Sequence, residues 1–335
     1  MKTICLLLIL MLCGYGCSSR QSQLETAYKH YKAGQFKHAL SEFTPLAESG
    51  DREAQFYIGT MWYSGDGVNK DLKKAFEWYL KAAQKNCSEA QYNLSQMYFA
   101  GEGIAKDKKQ GVNWLKKAAN QGLSLAQINL SACFYSGIGV EQDYKKAVEW
   151  LSKAAEQDNP IALVRLAVLY IEGKVVPQNY AIAVKYLHKA SQKNQAVAQF
   201  ILGKMYSNGI GVPKNRDMGA EMIYLSARNG FAKAQIIVGL AYLTKGKKED
   251  AEKWFDSARQ QGENPEKYIE NAKKLGMINR DVLSEKEKNS IIDDKSNMIE
   301  NPEIFDQNKI FDILRPVKIF STRTDESSLQ KHSNE

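Results

Sequence analysis

The sequence repeats itself at a fixed step of 36 residues. The copies read YSGDGVNKD, FAGEGIAKD, YSGIGVEQD, IEGKVVPQN and SNGIGVPKN, beginning at positions 63, 99, 135, 171 and 207. A step of this length accommodates two short helices and their turns. The repeat therefore restricts the chain to a stack of similar units, in which each unit contacts only its neighbours.

The first copy, Tyr63–Asp71, raises two ligand hypotheses, a calcium loop and a phosphate loop. The position of its Asp66 is held in the later copies by Glu102, Ile138, Lys174 and Ile210. Isoleucine and lysine do not coordinate calcium, and the copies lack the strand and the Lys-Ser/Thr pair of a phosphate loop. We therefore interpret the segment as a helix-to-helix connection.

The residues that recur are those that end and begin helices. Glycine adopts the left-handed cap conformation without steric penalty, and it recurs as Gly65, Gly101, Gly137, Gly173 and Gly209. Side chains that cap helix N-termini recur as Asp71, Asp107, Asp143, Asn179 and Asn215. A second set that tolerates the left-handed conformation is predicted to end the second helices: Asn86, Gly122, Asp158, Asn194 and Gly230.

Apolar residues recur at helical spacing between these turns. Each unit opens with an alanine (Ala54, Ala90, Ala126, Ala162, Ala198, Ala234), and the fourth, seventh and eighth residues after it are mostly large and apolar. Cys133 falls in this apolar row, so we interpret it as a small buried residue. The second helices carry Trp78, Trp114 and Trp150, for which burial in a core is the favoured use. The fold class predicted is an all-α αα-solenoid of stacked helix-turn-helix repeats.

The pattern A-x3-L-G-x2-Y-x2-G-x-G-V-x2-D-x2-K-A-x2-W-Y-x-K-A-A, nearly complete in Ala54–Ala83, resembles the Sel-one-like repeat family, which is related to the tetratricopeptide repeats. The resemblance extends to about Gly262 and is highly specific for the solenoid fold, but far less specific for function. Five full repeats are predicted, at 54–89, 90–125, 126–161, 162–197 and 198–233.

Both ends depart from the pattern. Residues 27–53 resemble a shorter tetratricopeptide-type unit, and 234–275 a shortened repeat followed by a capping helix from Asn264-Pro265. Terminal units of a stack are expected to be atypical because they cap it. Residues 276–335 form a polar tail, in which 303–320 are interpreted as a docking segment or as a strip folded onto the solenoid.

The N-terminus has the layout of a secretory signal, predicted to cover residues 1–16. Gly14-Tyr15-Gly16-Cys17 resembles the lipobox of bacterial lipoproteins, although the family favours leucine where Gly14 stands. The resemblance implies lipidation of Cys17, a linker over 17–26, and a membrane contact through the lipid. It places the protein at the outer membrane facing the periplasm. The alternative is a conventional cleaved signal that leaves a free periplasmic or secreted protein.

An aromatic row on the first helices is the candidate binding groove. The second and ninth positions after the opening alanine are nearly opposite the predicted core face, at 100° per residue. The residues proposed to line the groove are Phe56, Tyr63, Tyr92, Phe99, Tyr135 and Phe200. They either bind an extended segment or helix of another protein or pack against the neighbouring first helices, and the two uses are compatible. Lysines such as Lys73, Lys109 and Lys145 are interpreted as a solvated outer face.

No catalytic, metal or cofactor constellation is recognisable. The four histidines are scattered, with His30 and His38 unable to share a helix face unless a turn between them were absent. Some cysteine-rich relatives are described as penicillin-binding or β-lactamase-like, yet the one Ser-x-x-Lys match is Ser328–Lys331 in the polar tail. Nothing resembles a nucleic-acid reading module, so nucleic acid is not an expected partner.

These patterns predict a non-enzymatic envelope scaffold whose partners are other proteins. Two alternatives remain open at this point. One is a secreted or surface-exposed factor that binds host-cell proteins, and the other is a cell-wall-acting or β-lactam-binding protein.

Overall fold

The computed structural model describes residues 20–274, 276 and 278, and within them every regular element is a helix. The helices are α1 (20–32), α2 (Phe36–Glu48), α3 (Arg52–Ser64), α4 (Leu72–Gln84), α5 (Ser88–Ala100), α6 (Lys108–Asn120), α7 (Ser124–Ser136), α8 (Tyr144–Glu156), α9 (Pro160–Glu172), α10 (Tyr180–Gln192), α11 (Ala196–Asn208), α12 (Arg216–Arg228), α13 (Ala232–Thr244), α14 (Lys248–Arg259) and α15 (Pro265–Lys274). None of the described helices is long and apolar enough to cross a membrane.

The chain divides into two compact units, with the boundary between Trp150 and Leu151 inside α8. Within each unit, helices that are consecutive in the chain pack against each other, from α2 to α7 in the first and from α9 to α14 in the second. Contacts that follow chain order at a fixed repeat length are those of a solenoid. The predicted all-α solenoid is confirmed.

The helix ends are where the recurring turn residues predict them. Each of the five glycines after a first helix is left-handed, with φ between 66° and 86°. The side chains of Asp71 and Asp107 accept hydrogen bonds from two backbone N–H groups in the first turn of the following helix. Asp143, Asn179 and Asn215 each accept a hydrogen bond from the backbone N–H of the residue three positions later. These side chains partner N–H groups that a helix N-terminus leaves without intrahelical acceptors.

The second turn of each repeat needs the same backbone conformation. Asn86, Asp158 and Asn194 have φ of 60°, 54° and 57°, and they are the described non-glycine residues with positive φ. Gly122 and Gly230 serve at the same point in the other repeats, with φ of 91° and 87°. Since asparagine, aspartate and glycine tolerate this region best, the turn explains their recurrence.

The core is shared between successive repeats. The opening alanines are fully buried. One cluster joins Phe56 and Tyr79 of the first repeat to Leu94 and Met97 of the second. Cys133 is fully buried in the next cluster, as predicted. A single helix pair therefore has no complete core, and each repeat depends on the next for burial.

A ladder of buried glutamines joins the repeats. The residue after the opening alanine is glutamine in most first helices, and its Nε2 donates to a carbonyl in the last turn of the preceding second helix. The bonds run from Gln55, Gln91, Gln127, Gln199 and Gln235 to the carbonyls of Ala47, Ala83, Ala119, Ser191 and Ala227, over 3.0–3.4 Å. The Oε1 of Gln91 also accepts from Gln121 Nε2 at 2.7 Å, and that of Gln199 accepts from Asn229 Nδ2 at 2.8 Å. Each amide thus satisfies carbonyls that a helix C-terminus leaves unpaired.

The first helix begins earlier than the sequence indicates. Residues 20–26, predicted to be a linker, are helical in α1. The reason is that Leu24 and Ala27 are buried against α2 and α3, while the guanidinium of Arg20 pairs with Asp51. At the other end, Arg259 in α14 bonds Glu266 in α15 at 2.6 Å. Cys17, the tail segment 303–320 and Ser328–Lys331 are outside the described residues.

Candidate binding surface

The aromatic row predicted to line a groove is mostly inside the protein. Phe56, Tyr92, Phe99 and Phe200 are each at most 7% exposed. Their side of the first helix faces the second helix of the same pair. The rings of Phe56 and Tyr79 are 5.9 Å apart, and a Cβ placed on Gly111 of α6 would meet the Phe99 ring at 3.0 Å. The expected exposure is wrong for these four residues, because each first helix is covered on the side opposite its core row.

Tyr63 and Tyr135 are the members of the row that keep accessible surface. The Tyr63 hydroxyl donates to Glu102 Oε2 at 2.6 Å, across the junction between the first two repeats. Tyr135 is 38% exposed and packs edge-on against Tyr144, with ring centroids 5.2 Å apart. That these residues bind a partner stays a prediction.

The accessible strip of the first helices is formed by the third, sixth and tenth positions after the opening alanine, and we call it the first-helix face. In the first unit it consists of Tyr57, Thr60, Ser64, Asn93, Gln96, Ala100, Asn129, Ala132 and Ser136. Ser64, Ala100 and Ser136 are exposed, whereas most of the others are half-buried. The signal in the sequence is the run of small and polar residues at these positions, in helices that are otherwise apolar.

Hydrogen bonds hold the polar side chains of this face in place. Asn129 Nδ2 donates to the Tyr92 hydroxyl at 3.0 Å, and the Tyr79 hydroxyl donates to Thr60 Oγ1 at 3.1 Å. Burial raises the pKa of both tyrosines, so their hydroxyls stay neutral and remain hydrogen-bond donors. Each amide or hydroxyl in this network retains further donor or acceptor capacity for a ligand.

A small polar cavity opens at the junction of the first two repeats. Its volume is about 20 Å³, and its lining is Tyr63, Tyr79, Asn93, Gln96, Met97 and Glu102. A space of this size holds one water-sized group. The Oε1 atom of Gln96 is buried and has no hydrogen-bond partner in the described part of the chain.

The first-helix face of the second unit differs in charge. Arg165 and Lys204 occupy its third and sixth positions, and Lys204 is only 8% exposed. Burial lowers the pKa of Lys204 to about 8 and also lowers the pKa of Arg165. Burial raises the pKa of Glu172, which is 3.9 Å from Lys174. This face therefore carries partly desolvated cations, in contrast to the neutral amides of the first unit.

The outer sides of the second helices are basic in the first unit. Helix α6 contains four lysines and no acidic residue. Lys81 and Lys117, one repeat apart, each place Nζ 3.8 Å from the ring centroid of a tryptophan, Trp78 and Trp114. Both tryptophans are half-buried at the edge of the core clusters, so the burial expected for them is incomplete. Lysine stems cover the part of each indole that the core leaves accessible.

Two histidines that the sequence separates are neighbours in the structure. The turn between α1 and α2 brings the rings of His30 and His38 to a centroid distance of 5.9 Å, and His30 Nδ1 is 2.8 Å from Glu42 Oε2. As expected from the turn between them, these histidines do not share a helix face; they are close because they lie on opposite helices of one hairpin. Among the described residues, no group of three or more His, Cys, Asp or Glu side chains has the arrangement of a metal site.

Comparisons with known proteins agree with this architecture. The model of the Sel1 repeat matches five consecutive segments, 52–87, 88–123, 124–159, 160–195 and 196–231. In this match each repeat starts two residues before the opening alanine, and the step remains 36 residues. By sequence, no curated protein matches the chain.

Two solved structures are similar over most of the chain. A Sel1 repeat protein from Oxalobacter formigenes is 33% identical with a TM-score of 0.66, covering 71% of this chain and 99% of its own. The protein c5321, described as a protective antigen present in uropathogenic Escherichia coli strains, is 29% identical with a TM-score of 0.67. That match covers 88% of this chain and 65% of the antigen. Sel1 repeat proteins are in general scaffolds that bind other proteins. With matched repeats over 52–231, this chain belongs to the Sel1 repeat family.

Proposed function

We propose that the protein is a non-enzymatic scaffold that binds an extended segment of another protein along the first-helix face of its first unit. The observation that carries the proposal is the pair Asn93 and Asn129, half-buried at the same place in successive repeats. Asn129 is fixed by the Tyr92 hydroxyl, and Asn93 lines the same small cavity as Tyr79. An amide so fixed can still offer a donor and an acceptor to a peptide backbone. Packed helices are separated by about 8–10 Å, which is about three residues of an extended chain.

The test uses bulky substitutions on exposed small residues, which leave the core untouched. The variant S64R/A100R/S136R places three arginines on the first-helix face. The matched control Q84R/N113R/N120R adds the same charge at exposed positions on the second helices of the same unit. Tagged full-length protein captures partners from detergent-solubilised envelope. We expect a partner that the wild type and the control recover and the first-helix variant does not. Equal recovery by all three proteins would refute the proposed surface.

We further propose that the scaffold is anchored in the envelope through a lipid on Cys17, facing the periplasm. The support is the lipobox-like run that ends at this cysteine, after an apolar segment. Mass spectrometry of the N-terminal peptide should show a diacylglyceryl cysteine, and Cys17→Ser should move the protein from the membrane fraction to the soluble fraction. An unmodified N-terminus together with a soluble wild type would support the free, exported alternative.

A second candidate is a surface-exposed or secreted factor that binds host proteins. The similarity to the protective antigen of uropathogenic Escherichia coli favours it, at 29% identity. Treatment of intact cells with a protease separates the two candidates. Degradation of the protein on intact cells would favour the host-directed function, whereas degradation only after the outer membrane is opened would favour the periplasmic scaffold.

A further inference from the structure

The polar cavity between the first two repeats has an unbalanced set of hydrogen-bonding groups. The Tyr63 hydroxyl already donates to Glu102, and the Tyr79 hydroxyl donates to Thr60. Gln96 Nε2 donates to Ser95 Oγ at 3.1 Å, while its Oε1 has no partner although it is buried. The Asn93 amide in the lining offers both a donor and an acceptor, and the other groups left over are acceptors, namely the amide oxygen of Gln96 and the carboxylate of Glu102. An acceptor buried without a donor is destabilising, so the site favours a ligand that brings N–H groups.

The charge of the lining indicates what kind of donor fits. Glu102 is the ionisable carboxylate of the cavity, and the lining contains no cationic side chain. No lysine or arginine forms an ion pair with Glu102 in the described part of the chain. The aromatic rings of Tyr63 and Tyr79 form part of the wall. The Tyr63 ring is already next to one cation of the chain, because Lys70 Nζ is 5.3 Å from its centroid. A carboxylate beside aromatic rings is a favourable environment for a cation.

The size of the cavity favours an ammonium group over a guanidinium group. At about 20 Å³ it holds one group of the size of a water molecule. An ammonium head group has this size and three donors, whereas the planar guanidinium of arginine is larger.

The polar lining is not required by the fold. One repeat later the positions of Tyr63, Gln96, Met97 and Glu102 are held by Phe99, Ala132, Cys133 and Ile138. The junction between the second and third repeats has the same helix order and the same helix caps as the first junction, yet it has none of these acceptors. The acceptor set is thus specific to the first junction.

We propose that this cavity binds the ammonium group of a lysine side chain in the partner protein, with Glu102 as counter-charge and Gln96 Oε1 as acceptor. The inference rests on the proposed function, since the cavity adjoins the first-helix face and would bind one lysine side chain of the segment bound there. A phosphoethanolamine head group shares the ammonium but brings a phosphate close to Glu102, so repulsion disfavours it.

The probe for the test is N-acetyl-lysine-N-methylamide, titrated into the full-length protein and followed by NMR signals of the Asn93 and Gln96 side-chain amides. The norleucine analogue tests the stem without the ammonium, and O-phosphoethanolamine tests the lipid-like source. We expect saturable shifts with the lysine probe and none with the other two. Equal shifts with norleucine, or no saturable shift with lysine, would overturn the proposal.

Two variants test the named groups. Glu102→Gln keeps an acceptor for Tyr63 but removes the charge, and it should weaken lysine binding about tenfold or more. Gln96→Leu removes the orphaned acceptor and should weaken binding about threefold to tenfold without lowering the thermal stability. Glu77→Gln, on the exposed side of α4, is the charge-matched control and should bind as the wild type does. Unchanged affinity in Glu102→Gln would refute the site. Capture of a partner that does not depend on Glu102 would leave the scaffold function standing and refute only this inference.

Discussion

Replacing two equivalent glutamines by methionine tests whether the amide ladder joins the repeats. Gln91 and Gln55 occupy the same repeat position and are 1% and 4% exposed, so the methionine gains similar apolar burial in both. They differ in their hydrogen bonds. Gln91 donates to Ala83 and accepts from Gln121, whereas Gln55 donates to Ala47 and its Oε1 has no partner.

The magnitude follows from this difference. Gln91→Met loses two hydrogen bonds worth about 1 kcal/mol each, so it should lower the free energy of unfolding by about 2 kcal/mol. Gln55→Met loses one such bond but removes a buried acceptor whose unmet hydrogen bond costs about 1–3 kcal/mol. The net change at Gln55 should therefore be near zero or stabilising, and the two variants should differ by about 2 kcal/mol or more.

The physical cause of the difference is one residue. The position of Gln121 is occupied one repeat earlier by Lys85, whose Nζ donates to the carbonyl of Gly50 instead of to Gln55.

Equilibrium unfolding in urea, followed by circular dichroism at 222 nm, measures both variants against the wild type. Because a repeat array can lose cooperativity, the transition should be checked with tryptophan fluorescence as a second probe. If Gln91→Met leaves the free energy of unfolding unchanged, the ladder is not a source of inter-repeat stability. If Gln55→Met destabilises the protein as much as Gln91→Met, the unpaired acceptor of Gln55 does not carry the cost assigned to it.

Three further predictions concern backbone, thiols and charge. Gly103→Ala should lower the free energy of unfolding by more than about 2 kcal/mol, since its Cβ would be 2.2 Å from a backbone carbonyl oxygen and φ is +71°. Gly122 has a φ of +91° but nothing within 4 Å of such a Cβ, so Gly122→Ala should lower the free energy of unfolding by only about 1 kcal/mol in the same urea assay. Burial raises the pKa of the Cys87 and Cys133 thiols to about 12. A disulfide reagent at pH 8 should therefore label both thiols only in denaturant, and rapid labelling of the folded protein would contradict their burial. Lys204 has its pKa lowered from 10.5 to about 8 by burial, so the folded state binds fewer protons than the unfolded state between these values and stability should rise across that window. Lys204→Met should be more stable at pH 7 by on the order of 1–3 kcal/mol, with the advantage shrinking as the pH approaches 10.5, and a pH-independent difference would refute this cause.

Local features could be predicted from the sequence because they are decided within one turn of chain. The left-handed glycines, the Asp and Asn N-caps and the positive-φ Asn86 all follow from the conformational preferences of single residues. The core row also follows, since helical periodicity identifies one continuously buried side. Repetition strengthened each of these interpretations, because a chance pattern does not recur at a constant step.

The exposed side of the first helices could not be predicted in this way. A helical wheel assumes one buried side, whereas a first helix in the stack packs against its own second helix and against both neighbouring repeats. Phe99 is therefore buried against Gly111, although it is opposite the core row. The proximity of His30 and His38 and the bond from Tyr63 to Glu102 likewise depend on which helices pack together.

The glutamine ladder had a visible signal. A polar residue directly after a buried alanine recurs at Gln55, Gln91 and Gln127, and again at Gln199 and Gln235. A polar side chain that repeats on an apolar side of a helix requires a fixed hydrogen-bond partner. Its partners, carbonyls eight residues earlier, follow once the preceding helix is known to end there.

The central claim is that the first-helix face of the first unit is where another protein binds. The most direct test places a photo-crosslinking benzoylphenylalanine in the full-length protein in living cells, at Ala100 or Ser136 on that face, and at Asn113 or Asn120 on the second helices as controls. The account predicts that irradiation joins a discrete partner to the protein from positions 100 and 136 and not from 113 and 120. A partner joined only from the control positions would show that binding uses the basic second-helix side, and would contradict the account.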